Sequence, residues 1–341
     1  MPATRPLAAL RAARLFDGLR FVDDPLVVLD GGHVVVAGTR APGVAVTDLG
    51  DVTILPGMVD PHVHLALDAS TDPVRALLAR TPDEVHTAMT DAALASLRCG
   101  VTTVRDLGDP GYRSLGLRGV PGLPTILTAG PPVTPDGGHP LGDTVENTRA
   151  AVRAAVRERA ERGCDAVAIM AGGPARFDIA VLRTAVAEAH RHGLPVAAHA
   201  PTTGAVADAL AARVDSVEHP PPGLGGLLGE IVARRVTVGV TLDARLVAAG
   251  ALLVGTGAGT RKPHSPLPDV VPRLVALGMD PLDALRTVTS VAAAVCGLAS
   301  RKGRLAPGFD ADLVVVGGDP RTDPAALRDV RAVYLGGRIV A

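Results

Sequence analysis

Between residues 58 and 257 the chain repeats one pattern eight times, and that repetition limits its fold more than any other feature. Strand-length apolar runs are MVDPHVH (58–64), VTTVRD (101–106), PTILTAG (124–130), DAVAIMAGG (165–173), LPVAAHA (194–200), VDSVEH (214–219), VTVGVTL (236–242) and ALLVGTG (251–257). Most are separated by stretches with helical spacing, such as TRAAVRAAVRERAERG (148–163) and IAVLRTAVAEAHRHG (179–193). Near-continuous apolar strands alternating with helices mark a parallel sheet covered on both faces. Eight such units in about 250 residues suit an eight-stranded (β/α) barrel within the α/β class. The seventh connection, DARLVAAG (243–250), has room for only about two helical turns, so that side of the barrel mouth is predicted to be open.

The two ends have another texture. LVVLDGG, HVVVAG and VTILPG before residue 57, and ADLVVVGGDP and RAVYLGGRIVA near the other end, are short β runs broken by Gly and Asp. They predict a small β-sandwich domain formed by both termini, with residues 1–56 and 304–341 in one composite unit and 57–303 in the barrel. PLDALRTVTSVAAAVCGL (281–298) reads as a helix leading out of the barrel.

Composition narrows the possible partners. A net charge of -1 gives no pull toward nucleic acid or an anionic membrane. Aromatic residues are 2% and Trp is absent, which argues against a stacking platform for sugars or bases. No apolar run approaches the roughly 18 residues that span a bilayer, and arginines interrupt MPATRPLAALRAARLF, a poor signal peptide. Cys99, Cys164 and Cys296 are widely spaced and odd in number, as in a reducing compartment. The expectation is a soluble, cytoplasmic protein with a small-molecule partner and no nucleic acid or membrane; homo-oligomerisation stays open.

Chemistry concentrates where the strand runs end. His62 and His64 lie two apart, so on a strand both point to one face. At the carboxyl end of a barrel strand they face the mouth, where barrel active sites lie, and two imidazoles there suit zinc. His199 and His219 end the fifth and sixth runs; each alone reads as a core or capping histidine. The run LPGMVDPHVHL (55–65), GVTTVRDLG (100–108), the histidines closing VAAHA and VDSVEH, and GRLAPGFDADLVVVGGDP (303–320) resemble the amidohydrolase superfamily in order and over nearly the whole chain. GGH at 137–139 gives them the flavour of its imidazolonepropionase-like and prolidase-like branch.

That resemblance implies His62, His64, His199 and His219 as ligands of one divalent metal ion, zinc being the first choice, and His139 as a residue that contacts substrate or polarises its carbonyl. Asp60 and Asp106 would fix the ligands by hydrogen bonds. Two departures stand out. The family's bimetallic members carry a carboxylated lysine on strand four; here that place is Ala168, and no lysine precedes Lys262. The family's strand-eight aspartate, metal ligand and general base, is Gly257, and no acidic residue occurs from Ala244 to Pro268. Asp243 is the first choice as a substitute base, ahead of Asp136 and Glu218; strand alternation counted from His219 turns Glu218 to the opposite face.

The expected function is hydrolysis of a C–N bond, in a non-peptide or cyclic amide of a small molecule, by a metal-activated water. The alternative is a catalytically altered relative that binds a small molecule or performs a non-hydrolytic step such as cyclisation or isomerisation.

Overall fold

The computed structural model describes residues 7–38, 43–173, 175–260, 262–264 and 266–341. Residues 1–6 and 39–42, which the sequence assigns to the small domain, lie outside the described residues.

Each of the eight expected runs contains a strand: Met58–Val63, Val101–Asp106, Thr125–Thr128, Val167–Met170, Val196–His199, Ser216–Glu218, Thr237–Gly239 and Leu253–Val254, called first to eighth below. They pair in parallel as two arcs. The first three form one; the fourth to eighth, in sequence order, form the other, extended beyond the fourth by Val133–Pro135 and Asp143–Val145. The arcs meet through backbone hydrogen bonds at both sides. Gly257 N donates to the His62 carbonyl at 2.9 Å, Val63 bridges Ala258, and Asp165 N donates to the Thr128 carbonyl at 2.8 Å.

Pairing register decides which side chains share a level. Met170, His199, Glu218 and Gly239 are successive Cα partners on neighbouring strands. Their alternates Ile169, Ala198, Val217 and Val238 pack outward in the main apolar core, among Val181, Leu182, Val206 and other helix residues. On the other side, Ala129, Ala166, Ala168 and Ala197 cluster with Leu107. Small side chains on this face leave open volume, and Ala168 and Ala197 line a cavity.

The helices have local causes. Pro82–Arg98 begins with a Thr81–Glu84 capping box and Pro at its first position, and ends before Gly100, whose φ of 83° suits glycine. The seventh connection holds only Ala244–Ala248, so the predicted near-loss of that helix is observed.

Strands from both ends of the chain pair. Leu313–Gly317 lies antiparallel between Val52–Pro56 and Val330–Leu335 in a five-stranded sheet. A four-stranded sheet of Ala8–Arg11, Leu26–Asp30, His33–Ala37 and Val46–Asp48 adjoins it. Leu10, Val27 and Leu29 of the second sheet share one apolar cluster with Ile54, Leu313 and Tyr334 of the first. No helix among the described residues is long and apolar enough to cross a membrane.

Candidate metal centre

The first strand delivers His62 and His64 to one place, as their spacing requires. Their Nε2 atoms are 3.2 Å apart. The His219 ring lies 4.9 Å from the His62 ring, centroid to centroid. His62, His64 and His219 each offer a ring nitrogen, and these atoms all lie within 4.8 Å of one another. The His199 ring stands 5.2 Å from His219, and the His139 ring 5.9 Å from His199. Among the described residues the group close enough to share an ion is thus the first three; His199 is one ring further along. All five line a cavity of about 620 Å³ together with Ala168, Met170 and Val240.

Glu218 belongs to this centre, against the sequence expectation. Its Oε2 lies 2.7 Å from His62 Nδ1, and Ser216 Oγ donates to Oε1 at 2.6 Å. The reason is local. Ser216 and Glu218 occupy the inward register of the sixth strand, with Val217 outward. The strand ends at Glu218, and His219 adopts a left-handed φ of 56°. That residue breaks the two-residue alternation, so adjacent side chains both reach the cavity.

The carboxylate fixes the chemistry of His62. Nδ1 of the ring carries the proton that Glu218 accepts, so in the neutral ring Nε2 holds a lone pair. That lone pair faces His64 Nε2, and two nitrogens at this distance need a proton or a cation between them. A carboxylate behind an imidazole whose other nitrogen faces a shared point is the arrangement that orients metal-bound histidines. The donor set therefore fits a divalent ion.

Close approach is allowed by missing Cβ atoms. A Cβ on Gly239 would sit 1.4 Å from Glu218 Oε2, one on Gly108 2.7 Å from His64 Nδ1, and one on Gly255 2.8 Å from His62 Cβ. Asp60 and Asp106 brace the frame. Asp60 accepts from the His62 and Thr256 amides at 3.2 and 3.1 Å and from Thr256 Oγ1 at 2.6 Å, tying the first strand to the eighth. Asp106 accepts from the Leu65 and Gly108 amides at 3.1 and 2.9 Å.

Burial and the positive charge of neighbouring rings disfavour protonation of His64, His199 and His219, and burial does the same for His139. Burial, then the charges of His62 and His199, pushes His219 down to about 3. Burial, then His139 and His62, brings His199 to about 4, and burial lowers His64 and His139. Neutral imidazole is the ligating form. Burial alone would raise Glu218, but His62, its hydrogen bond and Ser216 outweigh it and hold the carboxyl at about 2. Burial lifts Asp60 to about 6 in spite of its hydrogen bonds.

Comparison with known proteins decides the family. The amidohydrolase family model matches residues 53–256 and 267–340. The chain belongs to the amidohydrolase family. The curated imidazolonepropionase of Deinococcus radiodurans is 29% identical, over 97% of this chain and 93% of its own. A solved Xaa-Pro dipeptidase with methionine bound in its active site has a TM-score of 0.86 at 22% identity, covering 98% of this chain and 99% of its own. Phenylurea hydrolase B has a TM-score of 0.86 at 22% identity, covering 98% and 96%. These structural likenesses establish a shared fold. As an amidohydrolase, the protein is a hydrolase acting on carbon–nitrogen bonds.

Of the two positions in this amidohydrolase that the sequence marks as departures, one lines the cavity and the other adjoins residues that line it. Ala168 is the first of these. Gly257 has a φ of 67°, and a Cβ there would lie 3.0 Å from Val240 Cγ1 and 3.5 Å from His219 Cε1. Asp243, the sequence's choice of substitute base, is placed elsewhere. Its carboxylate caps Ala244–Ala248, accepting from the Arg245 and Leu246 amides at 2.8 and 3.3 Å. It lines a separate hollow with Pro221, Pro222 and Arg245 instead of the histidine cavity. The cause is the short helix, whose first amides need an acceptor.

Proposed function

We propose that this amidohydrolase cleaves a non-peptide or cyclic amide C–N bond of a small molecule with one divalent metal ion, zinc first among candidates. The carrying observation is the trio of ring nitrogens of His62, His64 and His219 within 4.8 Å of one another. These residues would hold the ion, with His199 as a fourth ligand or a contact beside it. When bound, the ion supplies Lewis acidity, which acidifies water and polarises a carbonyl.

The chain's own residues do the rest. Glu218 holds His62 in one tautomer and delivers negative charge to the centre through it. His139 accepts the Leu141 amide at Nδ1, 3.3 Å away, so its neutral ring carries hydrogen on Nε2, a donor for a substrate carbonyl. Leu107, Met170 and Val240 give the cavity apolar walls that exclude water. Under the same proposal the two arcs form the wall of one (β/α) barrel spanning 57–303, and residues 1–56 with 304–341 form the β-sandwich. The protein works in the cytoplasm on a small-molecule substrate, and self-association is open.

The test is metal analysis with an amide panel of N-acyl amino acids, cyclic amides and aryl ureas. One equivalent of divalent metal per chain is expected, with hydrolysis lost to a chelator and restored by zinc. Metal-free protein that stays inert after reconstitution would overturn the proposal.

A second function, non-hydrolytic chemistry or binding alone, is favoured by Ala168 in the cavity wall and Gly257 beside its Val240 and His219, neither of which supplies a carboxylate. Gly257→Asp separates the two. Its left-handed backbone and the Val240 contact should cost about 1–2 kcal/mol, and Val240→Ala beside it should relieve the steric part. If native protein is inert and the double variant hydrolyses the panel, the second function holds. If native hydrolysis already depends on metal, the first does.

A further inference from the structure

The histidine cavity also contains an ammonium group. Lys262, in the loop after the eighth strand, lines it with His62, His64, His199 and His219. Its Nζ donates to the Thr256 carbonyl at 3.0 Å, which leaves two of its three donors without a partner among the described residues. No carboxylate among the described residues pairs with it. The other lysine, Lys302, is by contrast buried against Asp310 and Asp312. The two carboxylates that line the same cavity are engaged elsewhere: Glu218 with His62 and Ser216, and Asp72 with the Arg75 amide it caps.

The loop is braced. Gly259 N donates to the Lys262 carbonyl at 2.8 Å and the Gly259 carbonyl accepts from Ala69 N at 2.8 Å. His264 Nε2 donates to the Leu67 carbonyl at 2.7 Å, and the His264 carbonyl accepts from Ser96 Oγ at 3.0 Å. The ammonium is thus held beside position 257, where this chain has glycine and no carboxylate of its own. Asp60, bound to the amide and hydroxyl of the same Thr256, favours the charged lysine but makes no ion pair with it. Burial therefore still weighs on the cation, and an incoming anion offsets that cost.

We propose that Lys262 is an anion subsite that takes the carboxylate of a monoanionic substrate, so that the substrate brings the negative charge residue 257 lacks. One ammonium matches one charge; a phosphate dianion would ask for a second cation. This rests on the histidine cavity being the substrate site, and it assigns a specificity residue to it.

The probes are N-acetyl-L-leucine and N-acetyl-L-leucinamide, equal in shape and different in charge. Calorimetric titration of the metal-loaded chain should show the acid binding about tenfold tighter than the amide, the worth of one charge-assisted hydrogen bond. Lys262→Met should bring the acid down to the amide's affinity and leave the amide unchanged, while Lys262→Arg keeps the preference. Unchanged amide binding shows that the variant is folded. Equal affinities in the native chain, binding of neither probe, or a preference that survives Lys262→Met overturns the proposal. Since binding needs no turnover, the two proposals fail separately: acid preference without hydrolysis leaves the subsite standing, and hydrolysis without preference removes it alone.

Discussion

His62→Ala should cost the protein its metal and several kcal/mol of stability together. The ring is one of three that converge on a common point, and its Nε2 is 3.2 Å from that of His64. Without it, two imidazoles remain in the close group, too few for a structural or catalytic zinc site. The second loss comes from Glu218. His62 and Glu218 are each 3% exposed, and deleting the ring leaves a buried carboxylate with Ser216 as its one remaining hydrogen-bond partner among the described residues. Breaking a buried pair from one side costs about 3–5 kcal/mol. The two losses separate in the double variant His62→Ala/Glu218→Ala. Stability should return in large part, because no orphaned charge is left, while metal content stays low. Urea unfolding and metal analysis on the four members of the cycle measure both. A single variant as stable as the native chain would show that the pair is not what satisfies the carboxylate.

The succession of strands was legible because eight largely apolar, strand-length runs are punctuated by helical spacing, and a strand lies within each of them. His62 and His64 were legible for a related reason, since a two-residue spacing survives any small error in strand ends. Glu218 was not, because inward and outward were counted backwards from His219, and that residue is left-handed at φ 56°. The signal was nonetheless present in the run VDSVEH. Ser216 and Glu218 are its polar members on one face and Val217 its apolar member on the other, so the polar face had to point into the cavity. Asp243 shows the opposite error. An aspartate directly before the helical run ARLVA is an N-cap by pattern, and its position soon after the seventh strand made it look like a base. Whether His199 joins the other three depends on ring placement at the ångström level, which strand periodicity does not carry.

The Glu218–His62 pair can be tested without changing either partner. Gly239 is the Cα partner of Glu218 on the next strand, and its backbone φ is not in the left-handed region, so alanine is conformationally acceptable there. A Cβ at this position would stand 1.4 Å from Glu218 Oε2 and 2.4 Å from its carboxyl carbon. The carboxylate must then leave His62 Nδ1. With the orienting acceptor displaced, Gly239→Ala should lower metal affinity by about 10–100-fold, the usual effect of removing the hydrogen-bond partner of a ligating histidine. Gly229→Ala is the control: it lies in the helix Leu227–Ala233 with nothing within 4 Å of the added atom. It should leave metal affinity unchanged and stabilise the fold by up to about 1 kcal/mol. Competition titration with a metal chelator reads the affinity of both. If Gly239→Ala holds metal as tightly as the native chain, the carboxylate does not set the ligand, and the negative charge that offsets Gly257 must be sought in what the substrate brings.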